Sequence, residues 1–255
     1  MLKSRIIPCL LVHKKGLYKT IRFKDPKYVG DPINAVKIFN EKEVDEIIVL
    51  DIDATNEKRG PDFELIKNLA NECRMPFCYG GGISSVEHAI KIINLGAEKL
   101  AINYSALNNF HLLKEIGNAV GMQSIIVVID VRKNANGLYD IFQKNGTQKV
   151  DITLEEYLTK LNEIEVGEIV VNSIDDDGTM QGYDLKLADF VRKRTDMPIT
   201  ILGGAGSYND LKQLIEKFKI IGASAGSLFV FKGKFRAVLI SYPLKNEKMN
   251  ILGLD

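Results

Sequence analysis

The sequence predicts an α/β fold, a (β/α)8 TIM barrel built from two (β/α)4 half-barrels, and three observations lead there. Short β-branched runs alternate with longer amphipathic stretches, giving eight strand candidates in 255 residues. The runs 125–129 and 168–171 are almost continuously apolar, as in parallel strands covered on both faces. Two glycine-rich strand ends, Cys78-Tyr79-Gly80-Gly81-Gly82-Ile83 and Ile201-Leu202-Gly203-Gly204-Ala205-Gly206, repeat half a chain apart. Their lead-ins, Met75-Pro76 and Met197-Pro198, are 197 − 75 = 122 residues apart, and Glu46-Ile47-Ile48-Val49 keeps that offset from Glu168-Ile169-Val170-Val171. An open doubly wound sheet is the alternative; the repeat favours the barrel, because two half-barrels close into a ring.

The strands fall at about 5–12, 46–52, 76–81, 99–103, 125–131, 168–174, 198–203 and 222–228. Helical patterns lie between them. Asp31 followed by Pro32 is an N-cap with proline at the first helical position, opening a helix to Glu43. Asp62 to Glu72 follows Pro61, and Ser85 to Leu95 ends before Gly96. Asn109 to Val120 stops at Gly121, and Thr153-Leu154-Glu155-Glu156 opens the next helix as a capping box. Asp184 to Thr195 and Tyr208 to Phe218 complete the set, and 137–150 reads as a small hairpin inserted after the fifth strand. No linker divides the chain, so one domain over 1–255 is expected. The tail from Lys232 to Asp255 reads equally as a packed helix or a partner contact.

Charge argues against two classes of partner. With 34 Lys and Arg against 33 Asp and Glu, dispersed along the chain, there is no broad case for nucleic acid or a membrane surface. A basic group, Lys14, Lys15, Lys19, Arg22 and Lys24, is placed in an early loop, either as a solvated surface or as a clamp over an anionic substrate. Cys9, Cys73 and Cys78 form no CxxC or His-Cys pattern, so buried thiols are expected and no disulfide framework. Without a hydrophobic signal core or a bilayer-length apolar run, a cytoplasmic protein is expected.

A barrel carries its chemistry at the C-terminal ends of its strands. Asp51 and Asp130 each follow an apolar run, a costly place for a carboxylate unless it faces a polar mouth. Each reads either as a loop cap or lysine partner, or as functional: Asp130 as general acid or base, Asp51 as a holder of substrate hydroxyls. Gly81 and Gly82 with Asn103, and Gly203 and Gly204 with Gly226 and Ser227, form two candidate phosphate cradles. The ligand they imply carries a phosphate at each end. Asp175-Asp176-Asp177 lacks the distal bidentate Glu of a calcium loop, so no metal or cofactor is expected. Asp177 reads as a second acid/base candidate or as a loop-organising residue.

The motifs taken together resemble a family. Arg5 to Leu10, Val49-Leu50-Asp51-Ile52-Asp53-Ala54, Gly80 to Ile83, Ala101 to Asn103, Val128 to Asp130, Ser173 to Thr179, Gly182 to Asp184 and Gly203 to Gly206 are similar to the cyclase subunit of imidazole glycerol phosphate synthase. The sister family is the isomerase one step earlier in histidine synthesis; Ile6-Ile7-Pro8-Cys9 and the hairpin after Asp130 bring this chain nearer the cyclase. The resemblance implies a duplicated half-barrel, a bisphosphate ribosyl-aminoimidazole substrate, and a glutaminase partner, joined as a heterodimer, that sends ammonia through the barrel. It also implies that Lys19 contacts substrate, that Ser173 joins the binding residues, and that Asp130 is one of two catalytic carboxylates. The other is replaced: the family's first strand reads ProCysLeuAsp, and here it is Pro8-Cys9-Leu10-Leu11. Leu202 likewise stands where the family usually has serine beside the second phosphate site.

At the opposite end the family gates its ammonia entrance with four charged residues, matched here by Arg5, Glu46, Lys99 and Glu168. A plain salt-bridge ring is the alternative. A retained ring with a lost aspartate favours a paralogue that conducts ammonia, like the barrels associated with amidation of bacterial surface sugars in lipopolysaccharide, where a separate sugar amidotransferase uses it. The second reading is a working cyclase, a lyase of histidine biosynthesis, in which Asp130 and Asp177 compensate for Leu11. A third is an isomerase-like enzyme acting alone on a related bisphosphate.

Overall fold

The computed structural model describes residues 3–254. Met1, Leu2 and Asp255, at the ends of the expected 1–255 domain, lie outside the described residues. Eight parallel strands form the barrel: β1 (Arg5–His13), β2 (Ile47–Asp51), β3 (Phe77–Gly80), β4 (Lys99–Ile102), β5 (Ile125–Lys133), β6 (Glu168–Ser173), β7 (Ile199–Leu202) and β8 (Gly222–Ala225). Each pairs with the next, and β8 pairs back onto β1, so the ring closes without an edge. A helix follows every strand: α1 (Pro32–Glu41), α2 (Phe63–Glu72), α3 (Val86–Asn94), α4 (Phe110–Val120), α5 (Leu154–Ile164), α6 (Leu185–Arg192), α7 (Tyr208–Phe218) and α8 (Lys245–Leu252). The expected caps are present. Asp31, Asp62, Ser85, Asn109 and Asp184 each accept from a backbone N–H of their helix's first turn, and Thr153 and Glu156 form the reciprocal box.

Alternation along the strands separates two cores. Ile6, Leu10, Ile47, Val49, Phe77 and Tyr79 face outward, in the layer shared with the helices. Ile7, Cys9, Ile48, Cys78, Ala101, Ile126, Val128, Val170 and Leu202 fill the interior, with Leu11 and Leu50 above them. Among the described residues no helix is long and apolar enough to cross a membrane.

Two expectations need correction. The basic group 14–24 is not a loop: Gly16–Ile21 and Lys24–Gly30 form an antiparallel hairpin that extends β1. Tyr139–Gln143 and Gln148–Thr153 extend β5 in the same way, as the 137–150 reading anticipated. β1 and β5 are offset by 125 − 5 = 120 residues, so the duplicated half includes a hairpin. The early copy is hard to see because charged residues occupy its exposed face. The eighth strand also ends sooner than expected, at Ala225, giving way to a helical turn, Ser227–Val230. The tail resolves into a packed helix: α8 lies on α7 with Ile251 buried. Tyr242 donates its hydroxyl to the Ile6 carbonyl at 2.9 Å.

Candidate active site at the barrel mouth

The cavity at the C-terminal ends of the strands has an apolar floor, Leu11, Leu50, Val128 and Leu202, and polar walls. Phe23, Lys144 and Asn145 from the two hairpin tips roof it, and Asn145 Nδ2 is tied across the mouth to the Ile52 carbonyl at 2.8 Å.

Asp130 stands at the centre. Alternation on β5 turns it inward with Ile126 and Val128, and the parallel register sets it beside Asn172. Asn103 Nδ2 donates to Asp130 Oδ2 at 2.9 Å and Asn172 Nδ2 to Oδ1 at 3.1 Å. Burial nevertheless raises the carboxyl to about 7; the Asp177 charge adds to the rise and the two amides oppose it. A buried carboxyl near that value exchanges protons readily at neutral pH. Asn103, expected at the first phosphate cradle, thus also steadies the catalytic candidate.

Asp177 is half-buried and also lines the cavity, its carboxyl raised by loss of water contact against the opposing pull of Lys19. Its Oδ2 accepts from Thr20 Oγ1 at 3.1 Å, and its carbonyl accepts from the Arg22 N–H at 2.9 Å, so it also organises its loop. Lys19 is 6% exposed, and burial lowers its ammonium. Its Nζ donates to the Cys9 carbonyl at 2.7 Å. The three consecutive aspartates diverge: Asp175 accepts from the Lys133 N–H, Asp176 from Ser173 Oγ, and Asp177 from Thr20. They do not converge on a cation site.

The other predicted residues take clear places. Asp51 is engaged by Arg59 through two bonds of 2.7 and 2.9 Å and by the Asp53 and Ala54 N–H groups, the loop-capping alternative with arginine in place of lysine. Ser173 is held by Asp176 at 2.6 Å. Gly81, Gly82 and Gly226 line the cavity with Asn103, while Gly203, Gly204 and Ser227 lie outside its lining, Gly203 against Ser173 and Gly204 against Gly182 and Asp176. Backbone crowding explains two of these glycines. A Cβ on Gly82 would lie 2.7 Å from the Arg59 carbonyl, and one on Gly204 would lie 2.0 Å from the Gly182 carbonyl, with φ of +71° and +103°.

At the opposite end, Arg5, Glu46, Lys99 and Glu168 meet in a ring. Arg5 bonds Glu46 at 2.5 Å and Glu168 at 2.7 Å, and Lys99 bonds them at 2.8 and 3.1 Å. Burial opposes ionisation of Glu168, but Arg5 and Lys99 prevail and its carboxyl is lowered. Thr200 Oγ1 adds a bond to Glu168 at 2.5 Å.

Sequence reasoning missed Asn172 and Thr200. Strand alternation places both inward: Asn172 shares a face with Glu168 and Val170, and Thr200 shares one with Leu202. It also missed Arg59 and Arg236, loop residues that no periodicity marks.

Residues 5–236 match the sequence family described as histidine biosynthesis protein. The chain belongs to that family. Two relatives cover it almost end to end. A Vibrio vulnificus (strain YJ016) protein named "Putative imidazole glycerol phosphate synthase subunit hisF3" is 49% identical over 255 residues, all of this chain and 98% of its own length. A Leptospira interrogans protein named "Putative imidazole glycerol phosphate synthase subunit HisF" is 50% identical over 97% of this chain and 98% of its own. The "Imidazole glycerol phosphate synthase subunit HisF" of Streptococcus mutans serotype c is 36% identical over 90% of this chain and 91% of its own.

Proposed function

We propose that this chain is a barrel of the imidazole glycerol phosphate synthase cyclase-subunit type that partners a glutaminase, receives its ammonia, and delivers it for amidation of a surface-glycan sugar. The observation that carries the reading is a contrast between the two ends of the barrel. Leu11 sits in the mouth where the resemblance calls for the second catalytic aspartate, while the Arg5–Glu46–Lys99–Glu168 ring is complete. Leucine can neither move a proton nor accept a hydrogen bond, and a positioned acid or base contributes about 10²- to 10⁴-fold. The apolar interior between ring and mouth suits a small neutral molecule and rejects ammonium, which would have to shed its water.

A second reading is favoured by one observation: Asp177 lines the same cavity as Asp130, and the two charges interact. In that reading the pair divides the acid and base work of an active cyclase, a lyase acting on the ribulosyl-aminoimidazole bisphosphate precursor, consistent with the names of the relatives.

The deciding experiment gives the purified chain that bisphosphate precursor with a high concentration of ammonium salt, beside a Leu11→Asp variant. Free ammonia bypasses the glutaminase and tests the mouth alone. No turnover by the native chain and turnover gained by Leu11→Asp are the expected results. Turnover by the native chain would establish the cyclase and retire the delivery reading.

A further inference from the structure

After the Ser227–Val230 turn, Phe231–Lys232 and Ala237–Val238 pair as a small antiparallel hairpin. Its position is fixed at both ends. The Leu239 N–H donates to the Val230 carbonyl at 2.8 Å, and Lys27 Nζ reaches the Arg236 carbonyl at 3.3 Å. Arg236 sits in the turn with φ of +51°, a conformation few side chains adopt without cause. From there its guanidinium stacks over the Phe231 ring at 4.8 Å, which fixes its plane. Nη2 donates to the Gly178 carbonyl at 2.9 Å and reaches Ser227 Oγ at 3.3 Å. Gly178 belongs to the loop after β6 and Ser227 to the turn after β8, so Arg236 bridges the two sides of the second glycine cluster.

Arg236 has no carboxylate partner among the described residues. A second cation approaches the same place. Lys19 Nζ lies 2.0 Å from where a Cβ on Gly226 would stand, and it too is bonded to a carbonyl, not to a carboxylate. Two cations from opposite ends of the chain therefore converge on Gly226-Ser227, each held by neutral oxygen atoms.

We propose that Arg236 is a direct ligand of the anion held at Gly203, Gly204, Gly226 and Ser227, and that it tunes this cradle for a doubly charged phosphate end. This rests on reading the mouth as phosphate-binding. The planar fork of an arginine presents several N–H groups, so bonds to Gly178 and Ser227 leave others for phosphate oxygens.

The test measures calorimetric affinity of the full chain for the bisphosphate precursor, and for inorganic phosphate alone, in native, Arg236→Lys and Arg236→Gln proteins. Loss of a charge-assisted bond predicts that Arg236→Gln weakens the precursor roughly 10- to 100-fold, with partial recovery in Arg236→Lys. A phosphate ester gains its second charge near pH 6, so native affinity rises from about pH 5 to about pH 7.5, and Arg236→Gln flattens that rise. A mere clip between Gly178 and Ser227 would lower the unliganded melting temperature instead and leave the pH profile unchanged. Equal precursor affinity and an unflattened profile in Arg236→Gln would overturn this inference alone. Failure of the native chain to bind either probe would overturn it together with the phosphate reading beneath it.

Discussion

Asn172 and Asp130 stand side by side on adjacent parallel strands, Asn172 Nδ2 donating to Asp130 Oδ1 at 3.1 Å, while Asn172 Oδ1 is buried without a partner among the described residues. An amide in this position stabilises the ionised carboxylate and holds one acceptor in reserve. An unpaired buried acceptor costs about 1–3 kcal/mol. A ligand donor reaching the mouth would remove that cost, so the pair is positioned to read an N–H or O–H group.

Asp130 makes the fold sensitive to pH in a defined direction. Its carboxyl titrates near 7 in the native protein, chiefly through burial, against about 3.9 when unfolded. Between those values the native state keeps a proton that the unfolded state has released, so this group's contribution to stability falls as pH rises from about 4 to about 7. Asp130→Asn should flatten that slope and raise stability at pH 8 by roughly 2–4 kcal/mol, with little change near pH 4. Asn172→Ala should move the Asp130 midpoint up by roughly one unit, because it removes a bond to the ionised form. Thermal midpoints across pH and carbon NMR titration of Asp130 check both; a midpoint that stays put in Asn172→Ala would refute the role given to the amide.

The charged ring depends on its buried carboxylates. Glu168→Gln leaves Arg5 and Lys99 short of one counter-charge, and breaking a buried pair costs roughly 3–5 kcal/mol. The melting temperature should fall by about 10 °C at neutral pH. Since Glu168 is lowered in the native state, its contribution is present above about pH 4.3 and is lost as pH falls through its native value. The variant should therefore converge with the native chain in acid. Unfolding scans at pH 7 and pH 3.5 test this, and an unaltered midpoint at pH 7 would count against a stabilising ring.

The thiols should be inert while the fold persists. Burial pushes Cys9 up to about 11, Cys73 up to about 12 and Cys78 well above its ordinary value. Thiolate is the reactive form, so iodoacetamide at pH 8 should modify the native chain slowly, beginning at the half-buried Cys73. In urea all three should react within minutes. Peptide mass mapping over time gives the order, and rapid native modification of Cys9 or Cys78 would show that the interior opens.

Much of the site was legible before any coordinates. Asp130, Asp177 and the Gly81-Gly82 pair line one cavity, because strand ends are marked by the change from apolar runs to glycine and carboxylate; Lys19, which only the resemblance pointed to, lines it too. The hairpin after β1 was not legible, since an exposed basic ribbon and a basic loop share a composition. Nor was Asp51 resolved between its readings: Arg59 captures it from a loop eight residues away, by 59 − 51 = 8.

What the sequence alone determined was the barrel and its two ends. The fixed 122-residue offset, the alternating apolar runs and the caps are local or periodic, and local geometry turns them into strands and helices in one order. It also determined that Leu11 occupies the position the resemblance assigns to an aspartate. Only the tertiary structure decided which polar groups meet. Asn172 on Asp130, Thr200 on Glu168 and Arg236 on Ser227 each depend on strand register or on a loop returning over the mouth. Those contacts form between segments that closure of the ring brings together, and burial then sets the charge each group carries.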